Sequence, residues 1–294
     1  MTAPAAAEPL LIVNADDYGL TPGVSRSIIE GHRQGIVTST SVLALGPGFA
    51  ETVSWLDDVP ALGTGAHLAV VGEDPPLLSS REIPTLVGKQ GLLPYSWRQF
   101  LPMVAAHRID PDDIRREFRA QIECIEQAGV TIDHFDTHQN LHLWPAVRDV
   151  VFGLGAEHGV RVVRVTRSAS RSVVGTVVSR LAADLERRCD RDGWVYAAAS
   201  TGLDEAGHLD ETAMINALFR LRATGAASAE LATHPGEGGD ADLSRYEWDY
   251  QWGDEGAALR APAVRAAIDE LGFRLGTFGD LAAANGTRPG TGPG

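Results

Sequence analysis

The sequence predicts an α/β protein, a single domain folded as a distorted (β/α) barrel. Short apolar runs rich in β-branched residues alternate about seven times with helical patterns along the chain. This alternation is typical of parallel strands joined by helices. An open doubly wound sheet is the alternative fold. A nucleotide-binding fold is disfavoured because there is neither a GxGxxG sequence after the first strand nor a Walker A sequence.

The first half of the barrel is predicted from short buried strands. Leu10–Val13 is the first of these, and Thr21 and Pro22 then supply the N-cap and the first position of a helix. Further strands are predicted at Thr38–Leu45, Leu62–Leu68 and Ile132–Phe135, and helices at Phe49–Leu56, Asp110–Ala128 and Trp144–His158.

Residues 69–109 interrupt this alternation. They contain five prolines and several glycines, and one short helix is predicted there, at Trp97–Ala105. A segment of this length with so little regular structure is usually a functional lid or a binding loop.

Regular alternation continues in the second half. The predicted strands are Val160–Val165, Trp194–Ala199, Ala229–Thr233 and Phe273–Leu275, and the predicted helices are Ser170–Arg188, Leu209–Leu221 and Glu255–Glu270. The predicted domain spans residues 10–284. The Ala/Pro-rich residues 1–9 and the Gly/Pro-rich residues 285–294 are predicted to be disordered.

Composition and charge exclude several classes of function. The 294 residues include 25 Lys+Arg and 39 Asp+Glu, so the formal net charge is −14, which argues against binding to nucleic acid or to anionic membranes. No apolar run reaches the roughly 18–20 residues of a membrane-spanning helix, and no secretory signal is recognised. Cys124 and Cys189 are predicted to be unpaired thiols, which indicates a cytoplasmic protein. An acidic surface is compatible with either a monomer or a homodimer.

Aspartate and histidine residues lie at the ends of four predicted strands. Asp16 and Asp17 follow the first strand, His67 ends the third, His138 follows the fourth and His234 follows the seventh. In such barrels the active site lies at the C-terminal ends of the strands. These side chains are therefore expected to share one site.

Two of these features have more than one interpretation. One carboxylate of the Asp16–Asp17 pair could bind a metal while the other faces the reacting water, or one of them could only cap the following helix. His138 and His142 are four residues apart, which on a helix would place both rings on one face. Because Pro145 indicates that a helix begins only later, a loop is favoured here. His138 is then the better ligand, and His142 would orient a neighbour or the substrate.

One aspartate and two neutral histidines leave coordination positions open, as in a catalytic metal site. A metal in such a site polarises a carbonyl and lowers the pKa of a bound water. A free carboxylate can take the proton of that water, and a second acid can protonate the leaving group. Asp17, His67 and His138, with Asp16 and His234, supply this set, so the predicted reaction is metal-assisted hydrolysis.

Five motifs, in order, resemble those of the YdjC-like carbohydrate deacetylases, which include chitooligosaccharide and hopanoid-associated deacetylases. The similarity runs from about Leu10 to Leu281. The resemblance implies a barrel that removes acetyl groups from N-acetylated sugars with one divalent metal, often Mg²⁺, although Zn²⁺ suits two imidazoles better. The motifs are Asn14-Ala-Asp-Asp-Tyr-Gly19, Gly35-Ile-Val-Thr-Ser-Thr-Ser41, Gly65-Ala-His-Leu68, Asp136-Thr-His-Gln139 and His234-Pro-Gly236.

The resemblance also implies roles for individual residues. Asp17, His67 and His138 match the family's metal ligands, and Asp16 matches its general base. His234 matches a histidine expected near the leaving group or the oxyanion.

The substrate-binding candidates are Tyr18, Asn140 and His142. Many family members have a histidine where this chain has Asn140, and the polar residues that usually follow His67 are apolar here, so a shifted substrate is expected. The four aromatic residues within Tyr246–Trp252 would either stack on sugar rings or pack a surface loop.

Two alternative functions stay open at this point. One is a non-catalytic sugar-binding barrel, which would not need Asp16. The other is a different metal-dependent amidohydrolase or a phosphodiesterase, which usually carries ligands for two metal ions.

Overall fold

The computed structural model describes residues 8–88 and 90–286. The predictions of disorder for residues 1–7 and 287–294 lie outside the described residues. Within the described ranges the chain forms seven strands and ten α-helices. The strands are β1 (Leu10–Tyr18), β2 (Ser39–Val42), β3 (Gly63–Leu68), β4 (Phe135–Thr137), β5 (Ala199–Thr201), β6 (Ser228–Thr233) and β7 (Arg274–Leu275). The helices are α1 (Pro22–Gln34), α2 (Phe49–Thr52), α3 (Trp97–Ala105), α4 (Pro111–Gln127), α5 (Pro145–His158), α6 (Val173–Asp192), α7 (Glu211–Ala223), α8 (Trp252–Ala258), α9 (Pro262–Glu270) and α10 (Phe278–Ala284).

All strand pairings are parallel, in the order β4-β3-β2-β1-β6-β5, and β7 pairs with the start of β1. Residues 160–165 run between β4 and β5 and make isolated parallel bridges, Phe135 with Val163 and Val162 with Val195. The predicted distorted (β/α) barrel is confirmed, and the distortion lies at this weakly paired junction.

Residues 160–165 were predicted as a full strand but make only isolated bridges. Backbone hydrogen bonds join the segment to Phe135 on one side and to Val195 on the other. At its end, side chains contact the carbonyls: the carbonyl of Arg164 lies 3.0 Å from the Nε2 of His142, and the carbonyl of Val165 accepts the Ser200 hydroxyl at 2.9 Å.

Other elements also differ from the predictions. The predicted strand Trp194–Ala199 is displaced, because β5 begins only at Ala199 and Val195 makes an isolated bridge. Glu255–Glu270 is two helices, because Pro262 cannot extend α8 and instead begins α9. The predicted helix Phe49–Leu56 is α-helical only in α2 and continues as a 3₁₀ helix over Val53–Asp58. The unpredicted α10 has a capping box that joins Thr277 and Asp280, a signal that was present in the sequence.

The first strand lies in the middle of the sheet, in the interior of the protein. All nine residues of β1 are buried, and β2 and β6 flank it on either side. The Thr21 side chain caps α1 by accepting the Val24 N–H, as predicted. Helix α3 also forms where predicted, inside the long segment between β3 and α4. No helix among the described residues is both long and apolar enough to cross a membrane.

Candidate active site

A cavity of about 500 Å³ opens where the C-terminal ends of the central strands meet. Its lining includes Asp16 and Asp17 from β1, His67 from β3, His138 after β4 and His234 after β6. The five residues that the sequence proposed for metal binding and catalysis are thus brought together by four separate strands.

A break in the pairing of β1 allows both adjacent carboxylates to line the cavity. Neighbouring residues of a regular strand face opposite sides of the sheet. Here the register between β1 and β2 shifts between Ala15 and Tyr18, and Asp17 adopts φ +67°. This left-handed conformation costs a non-glycine residue roughly 1–2 kcal/mol, and Asp is among the residues that tolerate it best. The local irregularity therefore turns Asp16 and Asp17 toward the same space.

Three ligand atoms surround one point in the cavity wall. Asp17 Oδ1 lies 3.3 Å from His67 Nε2 and 3.5 Å from His138 Nδ1, and the two nitrogens are 3.3 Å apart. Asp17 Oδ1 is buried and has no hydrogen-bond partner among the described residues. One carboxylate and two imidazoles at this spacing form a donor set that fits a divalent transition metal or zinc.

The electrostatics of this cluster favour a bound cation. Burial alone would raise the pKa of Asp17, but the imidazoles of His138 and His67 outweigh it and hold the pKa at about 2. Burial alone would lower the pKa of His67, but Asp136 and Asp17 raise it to about 9. The carboxylates therefore create a negative potential that either a proton or a metal ion can neutralise.

Asp136 orients the ligand His67. Its Oδ1 lies 2.7 Å from His67 Nδ1, and its Oδ2 accepts the Ser41 hydroxyl at 2.7 Å. A carboxylate can only accept, so His67 donates through Nδ1 and its Nε2 lone pair faces Asp17 and His138. This is the usual arrangement of a carboxylate behind a metal-binding histidine.

Asp16 is held by a buried arginine that no sequence motif indicates. Arg164 donates to both Asp16 oxygens at 2.6 Å, to Glu230 Oε1 at 2.6 Å, and lies 2.8 Å from Asp136 Oδ2. Burial lowers the pKa of Arg164, but the three carboxylates raise it well above its usual value, so the side chain stays charged. Asp16 is therefore a fixed, paired carboxylate at the cavity wall.

His234 is held through its backbone rather than its ring. Its N–H donates to Glu255 Oε2 at 2.6 Å, and its Nε2 lies 3.7 Å from Asp16 Oδ2. The ring packs edge-on against Tyr250, and Nδ1 has no hydrogen-bond partner among the described residues. Neither ring nitrogen makes a hydrogen bond among the described residues, so the imidazole beside Asp16 is available for proton transfer.

Two of the three predicted substrate-binding residues do not line the cavity. Tyr18 is buried and its hydroxyl donates to the Thr52 carbonyl at 2.6 Å. His142 is also buried, and its Nε2 contacts the Arg164 carbonyl. Burial lowers the pKa of His142 to about 4, so its ring is neutral. The strand pairing and the turn after β4 point both side chains into the protein, whereas Asn140 does line the cavity.

Part of the predicted aromatic segment reaches the cavity. Trp248 and Tyr250 line it, together with Trp97 of α3. Trp248 packs on the His138 ring with centroids 5.2 Å apart, and its indole N–H donates to Glu73 at 2.7 Å. The segment is therefore both a packed loop and part of the cavity wall.

Comparison with known proteins adds independent information. The profile of the family described as YdjC-like protein matches residues 10–270. The chain is 31% identical to a chitooligosaccharide deacetylase of Proteus mirabilis over 276 residues, which are 92% of this chain and 98% of that relative. It is 38% identical to a carbohydrate deacetylase of Oceanobacillus iheyensis over 152 residues, 51% of this chain and 62% of that relative, so this match spans less than two thirds of that relative.

A solved structure has the same fold along nearly the whole chain. It is a crystal structure from Enterococcus faecalis V583, described as a candidate cellobiose-phosphate cleavage protein, with a TM-score of 0.76 and 25% identity. The superposition covers 94% of this chain and 99% of that one. Because the family profile matches most of the sequence, the chain belongs to the YdjC-like protein family.

Proposed function

We propose that this protein is a metal-dependent hydrolase that removes the acetyl group from an N-acetylated amino sugar or oligosaccharide. The observation that carries the proposal is the meeting of three ligand atoms with a paired carboxylate and a free imidazole in one cavity. Relatives that match the chain are named carbohydrate deacetylase and chitooligosaccharide deacetylase. Those names supply the substrate class, which the cavity alone does not specify.

Asp17, His67 and His138 would hold the metal. When bound, a divalent metal supplies polarisation of the acetyl carbonyl and acidifies water in its vicinity. Asp17 contributes an oxygen, and the two histidines contribute Nε2 and Nδ1. Two imidazoles favour Zn²⁺ over Mg²⁺, which prefers oxygen ligands, so we propose one divalent ion and test both metals.

Asp16 and His234 divide the proton transfers. Asp16, fixed by Arg164, is positioned to accept the proton of the attacking water as general base. His234, whose Nε2 lies 3.7 Å from Asp16, is positioned to protonate the departing amine nitrogen. A sugar-binding protein without turnover would have no use for this pair of groups.

A cytoplasmic location is part of the proposal. It is supported by two free cysteines, Cys124 and Cys189, which are not within a disulfide in the structure.

The decisive experiment measures acetate release. The protein is stripped of metal and assayed on N-acetylglucosamine, short chitooligosaccharides and acetylated glycolipid head groups, then assayed again after adding Mg²⁺, Zn²⁺, Mn²⁺ or Co²⁺. We expect metal-dependent acetate from at least one substrate, and none from the Asp16→Asn variant. Stoichiometric metal binding without acetate from any substrate would favour the sugar-binding alternative, and failure to bind any metal would overturn the site.

A further inference from the structure

A buried histidine outside the cavity is connected to the proposed metal site. His134 directly precedes β4 and is fully buried. Its ring packs on Phe278 with centroids 4.0 Å apart. On the neighbouring strand β3, Gly65 leaves room for the ring, because a Cβ at that position would lie 2.2 Å from it. His134 thus occupies a closely fitted place behind the cavity, and the reaction described above does not use it.

Hydrogen bonds link this ring to a proposed metal ligand in three steps. His134 Nε2 lies 3.2 Å from Ser41 Oγ, and the Ser41 hydroxyl donates to Asp136 Oδ2 at 2.7 Å. Asp136 Oδ1 is 2.7 Å from His67 Nδ1. The path ends at His67 Nε2, which faces the other two ligand atoms.

Partners on both sides hold the ring of His134 in one orientation. Ser41 Oγ, the partner of Nε2, donates its hydrogen to Asp136 and accepts the side-chain N–H of Asn14 at 2.9 Å. On the other side, His134 Nδ1 lies 2.6 Å from Asp133 Oδ1 and donates to that carboxylate, because a carboxylate can only accept. Each ring nitrogen therefore has its own partner, and the ring cannot turn over without losing a contact.

We propose that His134 is a positioning residue for the metal ligand His67, acting through Ser41 and Asp136. By contacting Ser41 Oγ, His134 holds the Ser41 hydroxyl beside Asp136. Asp136 then keeps its other oxygen on His67 Nδ1, and His67 keeps Nε2 toward the metal. This inference rests on the proposed metal site. Loss of such an outer partner typically costs 10- to 100-fold in metal affinity or activity.

A purely structural role is the competing explanation. Asp133, the other partner of His134, accepts the Gly279 N–H at 3.2 Å and so ties this region to α10. If His134 served only that contact, it would matter for stability and not for the metal.

Two near-isosteric substitutions separate the roles. The amide group of glutamine can reach the position of Nε2, so His134→Gln keeps the contact with Ser41 and loses the donor to Asp133. The amide nitrogen of asparagine can replace Nδ1, so His134→Asn keeps Asp133 and loses Ser41. Ser41→Ala breaks the path while leaving His134 and Asp133 intact, and it provides a second route if either histidine variant fails to fold.

The measurement is Zn²⁺ affinity of the metal-stripped protein, by competition with a chromogenic chelator, together with the thermal midpoint. We expect His134→Asn and Ser41→Ala to weaken Zn²⁺ binding by about 10- to 100-fold and His134→Gln to stay within about threefold of the unchanged protein. Where acetate release is measurable, kcat should fall with affinity while KM changes little. Equal Zn²⁺ affinities in all variants, or a larger loss in His134→Gln than in His134→Asn, would overturn the inference. Because the titration contains no sugar, it decides the role of His134 even if no substrate is found.

Discussion

The two sides of the cavity hold their histidines in different ways. On the β3 side, the His67 ring is fixed by a short hydrogen bond from Nδ1 to Asp136. On the β6 side, the backbone N–H of His234 donates to Glu255 and the ring packs against Tyr250, but Nδ1 has no hydrogen-bond partner among the described residues. A ring with one nitrogen fixed suits a metal ligand, whereas a ring with a free nitrogen suits proton transfer. The contrast supports the different roles proposed for the two histidines.

The largest loss of activity is expected from substitution of the proposed histidine ligands of the metal. His67→Ala or His138→Ala removes one of three ligands, so metal binding and acetate release should be lost together. Metal content by elemental analysis and acetate release would be measured on the same samples. His208→Ala, an exposed histidine outside the cavity, is the matched control and should retain both. A ligand variant that binds no metal yet keeps its rate would refute metal-dependent hydrolysis.

Asp16, on β1, lies between the β3 side and the β6 side of the cavity. Its substitution should lower the rate without changing metal binding. Asp16→Asn keeps the size of the side chain but removes its basicity, so we expect kcat to fall by about 10³- to 10⁴-fold while metal content stays unchanged. The measurement is kcat with metal content determined in parallel, and Asp57→Asn on the surface is the control. An Asp16→Asn enzyme with full rate would show that another group is the base.

His234 should give a smaller loss that depends on the leaving group. An amine must be protonated as it leaves, so His234→Gln should lower kcat for an N-acetylated sugar by about 100-fold. A nitrophenolate leaves without protonation, so hydrolysis of 4-nitrophenyl acetate should be nearly unaffected. Asp16→Asn should slow both reactions. Equal losses of His234→Gln on both substrates would contradict its role as general acid.

The sequence was sufficient to find the residues that line the cavity at strand ends. Asp16, Asp17, His67, His138 and His234 lie next to recognisable strands, and a barrel places such positions together. Because β1 carries an irregular pairing at Asp17, both members of the aspartate pair face the cavity. That irregularity has no signal in the sequence, so the direction in which each carboxylate faces could not be predicted from it.

The residues that support the site could not be found in the same way. Arg164 lies in a poorly paired segment, and its partner Asp16 is 148 residues away. Glu230 belongs to strand β6 and Glu255 to helix α8, and a charged residue in a strand or helix is normally predicted to be exposed. Only their burial in three dimensions reveals a role, because a buried charge needs a partner. Asp136 stood within a recognised motif, but its bond to His67 joins different strands.

The smallest change in the kinetic constants is expected from substitution of an aromatic residue of the cavity lining, Trp248. Trp248 faces the cavity beside His138 and is held by Glu73, so its indole is placed to stack on a sugar ring. Trp248→Ala should raise KM by about two- to tenfold, the range that corresponds to one aromatic contact, with a much smaller change in kcat. Trp248→Phe should recover most of the affinity, since it keeps an aromatic face.

Trp55→Ala, which removes an indole that packs near Arg26 instead, controls for general loss of aromatic packing. Initial rates over a range of substrate concentrations give both constants. If Trp248→Ala instead lowers metal content, its packing on His138 matters more than contact with the sugar. Trp248 would then support the proposed metal ligand His138 rather than bind the sugar.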